Sequence, residues 1–255
     1  MTLNDDHDSK DIEYHDAIAA QYDRVVVEPR QKCIDALLAP ARRYLPHAKR
    51  SMLDIGTGTG HMLARYAGLF ESVTAIDHSA GMLDVAQGVV KRNGWGHVEL
   101  QIIDAASFLE RETRQFDFVS CVGFLHHLQS EQLVATFRGI RKVLAKNGVF
   151  LLAEPVHVDA QEPAPITWWN RKYRELPRIY DVTVDDPDEA PLQIEVLHDA
   201  LRRAGLKRVG EGQGWEIFPR HDEDRLLDRV IIHALHALYG KSGFVYWACC
   251  QACEN

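Results

Sequence analysis

The sequence predicts an α/β chain built on a parallel sheet covered by helices on both faces. Three observations predict it. Short β-rich apolar runs recur at 52–55, 73–76, 98–103, 116–122 and 149–153. Helical patterns fall between them: 80–92 sets Met82, Leu83, Ala86, Val89 and Val90 on one side, and 131–144 does so with Leu133, Val134, Phe137, Ile140 and Leu144. The first apolar run ends in a glycine-rich turn, "SMLDIGTGTG" at 51–60. Strand and helix in alternation imply parallel strands joined by crossover helices.

The remaining elements follow in order. A helix is expected at 30–44, within a helical N-terminal cap over 1–45. The rhythm breaks after Glu154, where 155–191 holds six prolines, an aromatic and basic stretch "WWNRKYREL" and an acidic "DVTVDDPDEA". Such an insertion is expected to be helical and to face the substrate, because functional segments concentrate on connections. A helix at 193–204 is closed by Gly205, a strand follows at 206–211 with a second half at 215–218, and the last strand runs 244–250. Between these, a helical insertion at 219–242 carries Leu227, Val230, Ile231, Ala234, Leu235 and Leu238 at helical spacing. That face suits the core or a homodimer contact.

Composition bounds the function. A chain of 255 residues accommodates one large α/β domain, with 46% apolar and 26% charged residues in the ordinary globular range. No apolar run approaches the roughly 20 residues of a membrane span, so no membrane association is expected. The acidic start shows no secretory signal, and five cysteines lack disulfide-like spacing, which together suggest a reduced, cytoplasmic setting. The net charge of −8 disfavours nucleic acid as a partner.

The glycine turn carries the chemistry. Its spacing is G-x-G-x-G at Gly56, Gly58 and Gly60, and His61 stands where a dinucleotide fingerprint wants its third glycine. No Lys follows Gly60, which excludes a P-loop. An acid, Asp54, instead stands just before the glycines. Further acids close the next two strands, Asp77 in "VTAIDHSAGML" and Asp104 in "LQIIDAASF". With "FDFVSCVGFLHHL" and "VLAKNGVFLLAEP" in the same order, the chain resembles the class I S-adenosylmethionine-dependent methyltransferases of the small-molecule type over roughly 14–155.

The resemblance implies a Rossmann-like, doubly wound, seven-stranded sheet with a reversed last strand. It implies S-adenosyl-L-methionine as cofactor and S-adenosyl-L-homocysteine as product. Gly56, Thr57 and Gly58 would pass beneath the methionyl portion, Asp54 would orient the loop and favour the ammonium, and Asp77 would accept from the ribose hydroxyls. Asp104 and the Ala105 amide would address the adenine, with His78, Met82 and Val122 walling it. Tyr22, in the capping stretch "YHDAIAAQYDR", would reach cofactor or acceptor. His127, and less so His126, would act as general base. Adjacent side chains at a helix start diverge, so only one is expected to face the pocket. The acceptor is expected to be an oxygen or nitrogen of a small molecule. RNA or protein methylation and a non-catalytic binder of S-adenosylmethionine stand as alternatives.

Substrate contacts are expected from Trp168, Trp169, Arg171 and Tyr173, whose alternation of aromatic and cationic groups suits an acidic or aromatic ligand. No metal site is expected. The paired histidines lack a nearby acidic or thiol partner at ligand spacing, and "CCQAC" at Cys249, Cys250 and Cys253 has no second pair and reads as a buried edge strand. One departure from the family pattern is the helical stretch between the last two strands, ordinarily a short hairpin.

Overall fold

The computed structural model describes residues 3–174, 191–218, 226–239 and 243–253. Strands β1 (Ser51–Ile55), β2 (Ser72–Asp77), β3 (Val98–Ile102), β4 (Phe116–Val122), β5 (Leu144–Pro155), β6 (Leu206–Gly214) and β7 (Val245–Ala252) form one sheet in the order β3-β2-β1-β4-β5-β7-β6. The first five pair in parallel, and β7 runs antiparallel to both β5 and β6. This is the expected seven-stranded sheet with a reversed last strand. Met52, Leu53, Ile55, Phe118 and Val119 are wholly buried, as strands covered on both faces require.

Helices α1 (Leu3–Tyr22), α2 (Glu28–Leu38), α3 (His61–Tyr66), α4 (Ala80–Asn93), α5 (Ala105–Arg111), α6 (Ser130–Val143), α7 (Ala164–Arg174), α8 (Ile194–Arg203) and α9 (Leu226–Tyr239) surround it. The helix α4 starts where the Ser79 hydroxyl accepts from Met82 N–H at 3.1 Å, and stops at Gly94 with φ 65°. On α6, Leu133, Val134, Phe137, Ile140 and Val143 are all buried against β4 and β5 or their neighbours. Met52, Phe70, Val73, Phe118 and Trp247 belong to a second apolar cluster.

Several expectations are corrected. The helix at 30–44 is two pieces, because α2 ends at Leu38 and a 3₁₀ turn runs from Ala39 to Tyr44 through Pro40, which has no N–H to continue the α-helical bonding. The run 215–218 is buried coil: Trp215 and Ile217 pack with Ile166, Trp169 and Ile232. Cys249 and Cys250 are buried, but β7 lies between β5 and β6 and is not an edge. The strand β5 begins at Leu144, five residues before the apolar run, with an irregular register between Phe116 and Phe118. Of the two insertions, α7 and α9 are described, whereas 175–190, 219–225 and 240–242 lie outside the described residues.

Candidate active site

The C-terminal ends of β1, β2, β3, β4 and β5 open into one cavity of about 1260 Å³. It lies where the strand order reverses between β1 and β4, the place at which open α/β sheets bind ligands. Backbone geometry shapes its floor. Gly56, Gly58 and Gly60 all have left-handed φ, at 66°, 52° and 89°. A Cβ on Gly56 would stand 2.8 Å from the Cβ of Phe124, so only glycine fits there.

Two acids hold this turn. The Asp54 carboxylate is 1% exposed and accepts from the Ser120 hydroxyl at 2.5 Å and the Thr57 hydroxyl at 2.6 Å. Burial pushes its pKa up to about 6, against those two hydroxyls, and the charge of Asp77 adds to the rise. Asp77, at the end of β2, accepts from Gly58 N–H at 2.8 Å and Ser79 N–H at 2.9 Å. It thus ties the glycine turn to the start of α4 while each oxygen keeps a second lone pair. Asp104 caps α5, accepting from Ser107 N–H at 2.8 Å.

Each predicted cofactor residue can now be placed. Tyr22, Gly56, Thr57, Gly58, Asp77, His78, Met82, Asp104, Ala105 and Val122 all line the cavity. Asp54 does not: it sits beneath the turn, with its oxygens turned to Thr57 and Ser120. From that position it fixes the loop.

The two histidines share the far wall. A short turn after β4, Leu125–His127, brings both onto the cavity with ring centroids 4.2 Å apart. The expectation that only one faces it is therefore corrected: a 3₁₀ turn is tight enough to present both rings. His126 Nδ1 is 2.8 Å from Glu154 Oε2. Glu154, the last but one residue of β5, is 1% exposed and accepts from the N–H groups of Phe124 and Leu125 at 3.0 and 2.9 Å.

The N-terminal helix supplies groups that sequence reading missed. Asp11 and His15 on α1 line the same cavity. Around Asp11 gather His15 and His127, with Nδ1 atoms 3.2 and 3.3 Å from Oδ1, and His78, with Nε2 3.2 Å from Oδ2. Burial would raise the Asp11 pKa, but the imidazoles of His127, His15 and His78 override it and hold the carboxyl well below its ordinary value. The readable signal was the pair's spacing of four, which sets both on one face of a helix.

The expected substrate residues lie elsewhere. Trp169 is 5% exposed, packs in the small cluster with Trp215 and Ile232, and donates from Nε1 to the Phe218 carbonyl at 2.7 Å. Trp168 and Arg171 are exposed, and none of the three lines the cavity. The side chain of Tyr173 lies outside the described residues. The aromatic half of α7 covers its own core, which an amphipathic pattern equally permits. In their place, Arg30 and Glu216, paired at 3.2 Å, line the cavity with Phe244 and Val245. No described helix is long and apolar enough to cross a membrane.

Residues 52–148 match the family model described as a methyltransferase domain. The chain is 40% identical over 84 residues to an uncharacterized protein of Synechococcus sp., a match covering 31% of this chain and 19% of that protein. It is 25% identical over 187 residues to the ubiquinone/menaquinone biosynthesis C-methyltransferase UbiE of Rubrivivax gelatinosus, covering 71% and 68%. Among solved structures, the DhpI–SAH complex superposes with a TM-score of 0.64 at 20% identity over 97% of both chains. The (4+2)-cyclase SpnF gives 0.65 at 18% identity over 96% of both. Residues 52–148 are thus similar to a methyltransferase domain, and the solved structures share the fold of the whole chain.

Proposed function

We propose that this protein binds S-adenosylmethionine in the cavity and transfers its methyl group to an oxygen or nitrogen of a small molecule. The observation that carries the reading is the set of acids at three successive strand ends around a left-handed glycine turn. Asp77 retains lone pairs for two ribose hydroxyls, and Asp104 and Ala105 stand where a nucleoside base would lie. Gly56 and Gly58 let a ligand approach the backbone closely. The solved relatives include complexes named for SAH and SAM, which supports the same occupant.

The bound cofactor supplies an electrophilic methyl on a sulfonium, so no further activation of the donor is needed. The chain's own residues then align the acceptor, exclude water and take a proton. We assign proton removal to His126 ahead of His127. Glu154 is buried and fixes Nδ1 of His126; a carboxylate can only accept there, which leaves Nε2 the basic nitrogen. Glu154 is thus a positioning residue. Closure of α1 over the cavity, with Tyr14, Ile18 and Ala19 packed on Met82, keeps water out.

The relative named as a C-methyltransferase favours a second reading, in which the acceptor is carbon. Turnover of labelled S-adenosylmethionine with a metabolite extract tests both readings. Label on oxygen or nitrogen supports the first, label on carbon supports the second, and no transfer to any small molecule contradicts both. His126→Ala should lower kcat about 10²–10³-fold if a proton leaves the acceptor. Glu154→Gln should lower kcat with cofactor affinity unchanged.

A further inference from the structure

The helix α1 carries two groups that methyl transfer does not use. Asp11 and His15 stand one turn apart and meet His127 from the turn after β4. Asp11 is 4% exposed, and two imidazoles turn a nitrogen toward its Oδ1. A buried carboxylate is costly unless positive charge faces it.

The spacing indicates which cation. The Nδ1 atoms of His15 and His127 lie 3.2 and 3.3 Å from Asp11 Oδ1. Charge-assisted N–H···O bonds run about 2.7–2.9 Å, so these contacts are long for direct pairing. Two ligands each about 2.0–2.1 Å from a tetrahedral ion stand roughly 3.3 Å apart, which matches. One donor atom from each residue lies within 4.8 Å of the others.

We infer that Asp11, His15 and His127 form a binding site for a borderline divalent cation of the zinc class. Two imidazoles and one carboxylate suit such an ion, whereas magnesium and calcium prefer all-oxygen shells. His15 Nδ1 also stands 2.9 Å from the Asp11 carbonyl, a bond that ligation would exchange for one to the metal. His78, 3.2 Å from Asp11 Oδ2, is placed to hold the ligand's second oxygen. The ion would link α1 to the sheet and leave a coordination position toward the cavity, where an acceptor oxygen could complete the shell. The site stands on its own geometry and does not depend on methyl transfer.

The test is a titration of the full chain, stripped with a chelator, by Co²⁺ and then Zn²⁺. One equivalent of Co²⁺ should give the visible d–d bands of a four-coordinate site, and Zn²⁺ should abolish them. Asp11→Ala and His15→Ala should each weaken binding at least tenfold, with His127→Gln as a third variant outside α1. Exposed His157, near Asp159 and off the cavity, serves as the control, and His157→Ala should bind as the parent does. Circular dichroism melts confirm that each variant is folded. Absent bands, or the same affinity in an Asp11→Ala, His15→Ala double variant, would overturn the site and mean adventitious imidazole binding only.

Discussion

Asp54 and Asp77 divide one task between them, and their environments give separable predictions. In the fold, burial raises Asp54 from 3.8 to about 6, so ionising it there is unfavourable. From this group alone the protein loses stability as pH rises from about 4 to 6, and the loss is complete above that. Asp54→Asn removes the charge, and the hydroxyls of Thr57 and Ser120 can rotate to meet the amide. Thermal melts should therefore show the variant gaining on the parent across that window, by an amount of order 3 kcal/mol. A pH-independent difference would mean that Asp54 stays near its ordinary value. Asp77→Ala should weaken cofactor binding by about 1.5–3 kcal/mol, because hydrogen bonds to a charged acceptor are lost together with the anchor of Gly58. Gly56→Ala should weaken both folding and binding, since a left-handed φ and the contact with Phe124 act together; calorimetric melts and ligand titration read the two effects. The acids of this loop were legible because they sit at fixed offsets from strand ends. Asp11 was not, because its partners His78 and His127 are distant in sequence and only the fold of α1 brings them near.

At the scale of elements, α1 is the part with most at stake. Tyr14, Ile18 and Ala19 bury Met82, and Asp16 accepts from the Ser79 hydroxyl and Gly81 N–H at 2.5 and 2.8 Å. None of these contacts belongs to a sheet strand. Deleting residues 1–27 should abolish turnover while leaving a cooperative unfolding transition at lower temperature. Full turnover by the truncated chain would contradict the closing role of α1. The strands β1, β2, β4 and β5 were readable because burial on both faces makes each a largely apolar run, whereas β3 is a partly exposed edge strand. The same rule misled at 215–218, since an apolar run buried as coil has the same composition as a short strand. On α7 the amphipathic pattern was real, but a stripe with Trp169 reads alike whether it covers a core or a ligand. The short helices α3 and α5 escaped notice because six or seven residues carry too little periodicity.

For the whole molecule, the reversal of strand order between β1 and β4 concentrates side chains of distant segments on one cavity. Residues from α1, the glycine turn, the ends of β2 and β3, and the turn after β4 meet there, although they span residues 11 to 127. The order of the acids along the chain pointed to this convergence; Arg30, Glu216 and Phe244, which also line the cavity, follow no local pattern and emerge only from the fold. The central claim is that the cavity takes a sulfonium nucleoside and not a dinucleotide. Titration calorimetry of the full chain with S-adenosylmethionine, S-adenosylhomocysteine and NAD tests it most directly. Both sulfur nucleosides should bind with one-to-one stoichiometry and micromolar affinity, with NAD giving no heat of binding. Binding of NAD, or silence with both sulfur nucleosides, would contradict it.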